Sequence, residues 1–251
     1  MALVVLVTAC STVLGFKEAK VSDAQPETDA AVDAPIDTAI DGSIDAAVDA
    51  PIDTPSATCV PANCPFGCDT TTDACKDGKL WIFRTAAAFP GNGFGGTDNP
   101  IDVRAGSTAK CAETHRLVFN NRPCDADHML AILHVSSSDS IPLMAGKYRI
   151  PTTAPVHEAQ NDVLIANNWN DLTDPNKALR AAVMPGATDD DSQIWTGANT
   201  VSTCTNWTSA APAVSGTLGF ANRAASTWID AKTLACDSTA GLMCICWDAA
   251  P

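Results

Sequence analysis

None of the eleven cysteines in this chain forms a Cys-x-x-Cys pair. Structural zinc sites are usually built on that spacing, and Cys244-Ile-Cys246 is too tight to replace it. His-Glu-x-x-His is absent too, since His157-Glu158 is followed by Ala-Gln-Asn, so the helical metalloprotease arrangement is excluded. No Gly-x-Ser-x-Gly elbow occurs to expose a serine nucleophile. The remaining histidines are His115, His128 and His134. Only His128 lies beside acids, Asp125 and Asp127, and a solvated turn after Cys124 accounts for that cluster equally well. The Gly-Asn-Gly-Phe-Gly-Gly run at 91–96 lacks the Lys-Ser/Thr of a phosphate cradle and reads as a flexible loop. Basic runs are missing as well. With a net charge of -14, the chain has nothing to release phosphate counterions, so a nucleic-acid partner is not expected. These absences together predict a protein that is not an enzyme.

Composition divides the chain. Residues 1–58 carry ten acidic and two basic side chains, whereas residues 59–251 carry nineteen and thirteen, with all six tryptophans. Only the second part can bury a core, and the about 170 residues from Lys79 onward are an ample domain. Ten cysteines lie after residue 58: Cys59, Cys64, Cys68, Cys75, Cys111, Cys124, Cys204, Cys236, Cys244 and Cys246. An even number behind an apolar leader points to disulfides in an oxidising compartment, with one cysteine left for another task.

That cysteine is Cys10. Residues 1–9 are apolar, and Val7-Thr8-Ala9-Cys10 resembles a bacterial lipobox, in which the sulfur receives diacylglycerol; an ordinary secretory leader is the alternative. The leader lacks a preceding Lys or Arg, which predicts a start codon further upstream. It is too short to span a bilayer, so membrane attachment is expected through an acyl anchor at residues 1–10. From Asp29 the chain repeats with a period of 16 residues, with Asp at 29, 33, 37, 41, 45, 49 and 53. On a helix those carboxylates would stack and repel, and Pro35, Pro51 and Pro55 add breaks. Residues 11–58 therefore read as a disordered acidic tether, spanning about 40 Å as a flexible coil.

At residues 59–78 four cysteines spaced x4, x3 and x6, with Pro61, Pro65 and Gly67, describe a small disulfide-stapled module without its own core. The folded domain, 79–251, opens with a strand at 79–85. A helix over 102–115 carries Cys111, with Gly106 as a weak point. Strands are predicted at 129–135, 143–150, 192–197 and 242–247, and a short helix is predicted to open at 168–172. The fold class is α+β with a mixed sheet.

The order of these elements carries a resemblance. Lys110-Cys111-Ala112, Trp195-Thr196-Gly197, Cys204-Thr205-Asn206-Trp207-Thr208-Ser209, and Trp228 before Cys236 are similar to the C-type lectin-like fold. They most resemble a family of bacterial secreted lectin-like domains, DUF1554. The resemblance covers residues 79–249 and implies that the two ends of the domain lie together. It implies a Cys204–Cys236 disulfide, Cys111 paired with Cys244 or Cys246, and Cys124 with the one remaining. Cys244 and Cys246 share a strand face, so the sequence does not choose between them.

Sugar-binding members of that larger fold hold calcium with Glu-Pro-Asn or Gln-Pro-Asp and Trp-Asn-Asp. Here neither Pro motif occurs, and residues 228–230 read Trp-Ile-Asp, so no cofactor is expected from the usual site. Asp189, Asp190 and Asp191 form the only alternative cluster for calcium. The function implied is a lipid-anchored bacterial envelope protein presenting a ligand-binding domain to a glycan or a surface protein. Trp195 and Trp228 are expected in the core. Trp169 and Trp207, in polar segments, are the candidates to stack an indole on a sugar ring, with Asn206 beside them. A non-catalytic structural element of the envelope is the competing class. A secreted glycan-active enzyme is the third, because paired carboxylates need not be close in sequence.

Overall fold

The computed structural model describes residues 59–248 apart from 61–63, 65, 70, 96, 200 and 201. The leader, Cys10 and the acidic repeat lie outside the described residues. The cysteine-rich module contains a two-stranded hairpin, β1 (Cys68–Asp69) and β2 (Ala74–Cys75). It is stapled by Cys59–Cys68 and Cys64–Cys75.

The domain is built on a nine-stranded mixed sheet. β3 (Leu80–Arg84), β4 (Phe89–Pro90) and β5 (Met129–Ala131) come from its first half, with α1 (Pro100–Val118) between them. Then follow α2 (Ile141–Tyr148), β6 (Val156–Glu158), β7 (Leu164–Ala166), α3 (Trp169–Thr173) and α4 (Asp189–Ser192). β8 (Gln193–Trp195), β9 (Ser215–Phe220), β10 (Lys232–Ala235) and β11 (Thr239–Cys246) complete it. The spatial order is β10-β9-β8-β11-β3-β6-β7, with β4 and β5 also on β11. The β11–β8 and β3–β6 pairs are parallel and the others antiparallel.

β11 is buried along its length after Thr239, which explains its near-continuous apolar sequence. Its alternation feeds two cores. Leu242, Cys244 and Cys246 join Trp81, Phe83, Trp195 and Trp207 on one face. Met243, Ile245 and Trp247 join Ile82, Trp169 and Trp228 on the other. The first face is covered by α1, the second by α2 and α3. Three disulfides tie the layers: Cys111–Cys244, Cys124–Cys246 and Cys204–Cys236.

α1 is longer than predicted because Asn99 caps it, its side chain accepting from the Ile101 N–H at 3.1 Å, and Pro100 opens the first turn. Residues 143–150 are a correction. They form most of a helix rather than a strand, with Pro142 in its first turn. Its buried residues, Ile141 and Met144, are three apart as a helical face requires. Of the strand expected at 129–135, only Met129–Ala131 is regular, although Ile132 and His134 still donate to the Met243 and Thr196 carbonyls and the chain stays buried to Val135. Of the glycine run expected as a flexible loop at 91–96, the described residues 91–95 form a packed turn, since Phe94 is fully buried against Trp207. Gly106 lets α1 approach that turn, because a Cβ there would meet the Phe94 carbonyl oxygen at 2.0 Å. Gly219 has the same role in β9, a strand missed by periodicity, where a Cβ would meet the Trp228 carbonyl oxygen at 1.9 Å.

Gly219→Ala is expected to cost about 1–3 kcal/mol through overpacking. Gly146→Ala, where a Cβ meets nothing within 4 Å, is expected to gain about 0.5–1 kcal/mol in α2. Urea unfolding of both variants checks the pair, and equal effects would remove the packing explanation for Gly219.

Candidate functional site

Trp169 and Trp207 do not present indole faces to solvent. Their exposures are 1% and 0%, as low as those of Trp195 and Trp228. For Trp207 the cause is local. Cys204, Thr205, Asn206 and Trp207 all have positive φ, at 50°, 54°, 55° and 64°, so the segment is a left-handed turn. Each such non-glycine residue costs about 1–2 kcal/mol. The Cys204–Cys236 crosslink and the Trp207 indole N–H, donating to the His134 carbonyl at 2.7 Å, hold it. The turn swings Trp207 onto Trp195 and Phe94 and leaves Asn206 exposed at its tip. Trp169 follows the Asn168 cap of α3 and packs in the other core.

Asp189, Asp190 and Asp191 form the first turn of α4 behind the Thr188 cap. Each is turned to a different partner. Asp189 accepts from Arg223 Nη2 at 2.7 Å and Asn222 Nδ2 at 2.9 Å, and hydrogen bonding from Asn222, then from Arg223, holds its carboxyl below the ordinary value. Asp190 accepts from Gln193 and Asp191 from Thr188. Among the described residues, the sets of three potential metal ligands that converge are built on disulfide cysteines, whose sulfurs are committed. Asp125 caps the short turn holding Asp127 and His128, and contacts His128 Nδ1 at 3.3 Å.

A large cleft lies elsewhere among the described residues. It measures about 770 Å³ and runs between the first turns of α1 and the end of α2, well within the range of ligand sites. Its floor is a buried network around Asp139. Arg104 donates to that carboxylate from Nε at 3.1 Å and Nη2 at 2.7 Å, and Tyr148 donates its hydroxyl at 2.6 Å. Lys147 reaches it at 3.3 Å from the rim. Arg104 is fixed further by the carbonyls of Ala131 and Leu133. Burial pushes the Asp139 carboxyl up, but hydrogen bonds and charge from Arg104, with Tyr148 and Lys147, outweigh it and hold the group below its ordinary 3.8. The Tyr148 hydroxyl is pushed up by burial and by Asp139.

Around that floor the wall is mixed. Asn99, Ser136 and Ser138 supply an amide and two hydroxyls, and Asp127 a second carboxylate. Ile101, at 74% exposure, forms an apolar lip. Thr108 lies one turn beyond Arg104 on the same face of α1. Its Oγ1 is buried and has no hydrogen-bond partner. The lining holds two cations, Arg104 and Lys147, against two carboxylates, Asp127 and Asp139.

Compared with known proteins, the chain matches no family model and no curated sequence.

The cleft residues carried no motif. Arg104 and Asp139 are 35 positions apart, and their pairing depends on how α1 packs beside β5. One weak signal existed: Tyr148 is the only tyrosine in the chain.

A smaller pocket of about 210 Å³ is bordered by the buried His134. Burial lowers the His134 pKa below 6.5; the Asp139 charge opposes this and Arg104 adds to it. The unfolded chain therefore binds a proton near pH 6.5 that the folded chain refuses until lower pH, so stability falls as pH drops through that range. Asp139 acts with the same sign further down, its contribution present above 3.8 and lost below it. Urea midpoints between about pH 7.5 and pH 4.5 are expected to decline, and His134→Gln is expected to flatten the upper part. An unchanged slope in that variant would reject the assignment.

Proposed function

We propose that this chain is a displayed binding module, a lectin-like domain carried on the bacterial cell envelope by an acyl anchor at Cys10, and that it takes a glycan in the α1–α2 cleft. The carrying observation is that cleft: open, charge-balanced, and floored by a rigid network beside a buried hydroxyl without a partner. Each sugar hydroxyl both donates and accepts, and a wall of hydroxyls, an amide, a carboxylate and an ammonium answers both roles. The site needs no calcium.

Two features support the lectin-like reading. β3 and β11 pair in register, Ile82 opposite Ile245, so both ends of the domain lie together as the resemblance implies. The three domain disulfides also fall in the implied pairing, with Cys111 on Cys244. Five disulfides mark an oxidising compartment, which fits envelope display. We read the cleft as a binding site; in support, Arg104 keeps Asp139, its buried acid, charged and so a poor general acid for glycoside cleavage.

The test is a glycan array with the oxidised protein, in calcium and then in EDTA, beside Ala105→Trp, which fills the cleft from an exposed position on α1. Binding that survives EDTA and drops about tenfold or more in the variant, about 1.4 kcal/mol, is expected. Full binding by folded Ala105→Trp would place the ligand elsewhere. Loss in EDTA would return attention to calcium. Silence from the folded wild type would favour a protein partner or a structural role in the envelope.

A further inference from the structure

A second cavity, independent of the cleft, is built around a cation that lacks an ion-pair partner. Arg84 ends β3, and its guanidinium lies flat over Gly241 of β11, where a Cβ would meet Cζ and Nε at 2.6 Å. Two backbone carbonyls hold it: Nε donates to Gln193 at 3.2 Å and Nη1 to Thr85 at 2.9 Å. Among the described residues, no carboxylate lies within ion-pair distance of Arg84. Burial lowers its pKa, opposed by the charge of Asp191, yet a guanidinium stays protonated in any case. A desolvated, fixed cation of this kind is costly without a counter-charge.

The guanidinium borders a cavity of about 360 Å³. Phe119, Val183 and Met184 give it apolar walls, and the Gln160 and Asn161 amides stand at its mouth. Glu158 also borders it, but its carboxylate is turned to its own loop, accepting from the backbone N–H groups of Gln160 and Asn161 and from the Asn161 amide. Nη2 makes no hydrogen bond among the described residues, and with the neighbouring Nη1 it offers the planar fork that a carboxylate takes. Glu158 and Asp191 disfavour a dianion so close, and the apolar walls disfavour a small hydrated ion.

We infer that this pocket binds a small monocarboxylate with an apolar body, its carboxylate on the Nη edge of Arg84 and its body between Phe119 and Met184. Gly241 and the Gln193 and Thr85 carbonyls position the arginine; the ligand supplies the missing charge. The reading is separate from glycan binding and stands or falls without it.

The probe is 3-phenylpropionate, titrated into the oxidised full chain with the arginine Nε–Hε resonances followed by NMR. Saturable movement of the Arg84 resonance is expected, with a dissociation constant below about 1 mM. The neutral analogue 3-phenylpropionamide is expected to bind about tenfold weaker or worse, and Arg84→Lys to lose a similar factor, about 1.4 kcal/mol. Ala187→Trp, which fills the cavity from its wall and leaves Arg84 itself in place, is expected to abolish binding and keeps the test decisive should Arg84→Lys fail to fold. The inference is overturned if the folded wild type shows no saturable shift, if the amide binds as well as the acid, or if inorganic phosphate binds as tightly as the probe.

Discussion

β11 is the member on which the other layers depend. It hydrogen-bonds to β3, β4, β5 and β8, contributes side chains to both cores, and carries Cys244 and Cys246 into crosslinks with residues more than a hundred positions earlier. A strand buried on both faces can satisfy its backbone only through neighbours on both edges. β11 is the last of the described strands, so the sheet closes only when residues as far along as Cys246 are in place. The two long disulfides close loops of 133 and 122 residues, each worth about 4–5 kcal/mol in the chain-entropy account. They fasten α1 and the segment after it to the strand that every other element needs.

Against that frame, two arginines are treated differently. Arg104 is buried with its carboxylate, its tyrosine and two carbonyls, so its charge is answered inside the protein and its function is to stiffen a cleft floor. Such a network is rigid when fully satisfied, and removing one partner is expensive because the other charge stays behind. Arg84 is held as firmly, by carbonyls and by the space that Gly241 leaves, but its charge is not answered. The first arrangement makes a surface; the second leaves a fixed cation in a cavity wall. On the readings proposed above, the cleft and the cavity take different ligands, one hydroxyl-rich and neutral, the other anionic and apolar.

The left-handed turn at Cys204–Trp207 shows how backbone strain serves packing. Four consecutive non-glycine residues at positive φ would not persist alone. A disulfide at the first and a buried, hydrogen-bonded indole at the last over-determine the segment. The result moves Trp207, one of the two tryptophans expected as exposed platforms, into the core and leaves Asn206 as the polar tip.

Much of the frame was legible in the residues. Alternation marked β3, the apolar segments at 192–197 and 242–247 marked β8 and β11, helices were expected at 102–115 within α1 and at 168–172 over α3, and the even cysteine count marked crosslinks, because pattern and pairing are local or arithmetic properties. Residues 143–150 were misread because a short apolar run does not distinguish a strand from a helix; packing of Ile141 and Met144 against the second core decided it. β9 was hidden by Gly216 and Gly219, which weaken a strand pattern and make sense only once the Trp195 and Trp228 neighbourhoods are assembled. Sequence by itself determined the acidic balance, the α+β class, the apolar strands and the presence of crosslinks. Only the tertiary structure decided which tryptophans are buried and which charges are paired, because burial and ion pairing depend on residues brought together from distant parts of the chain.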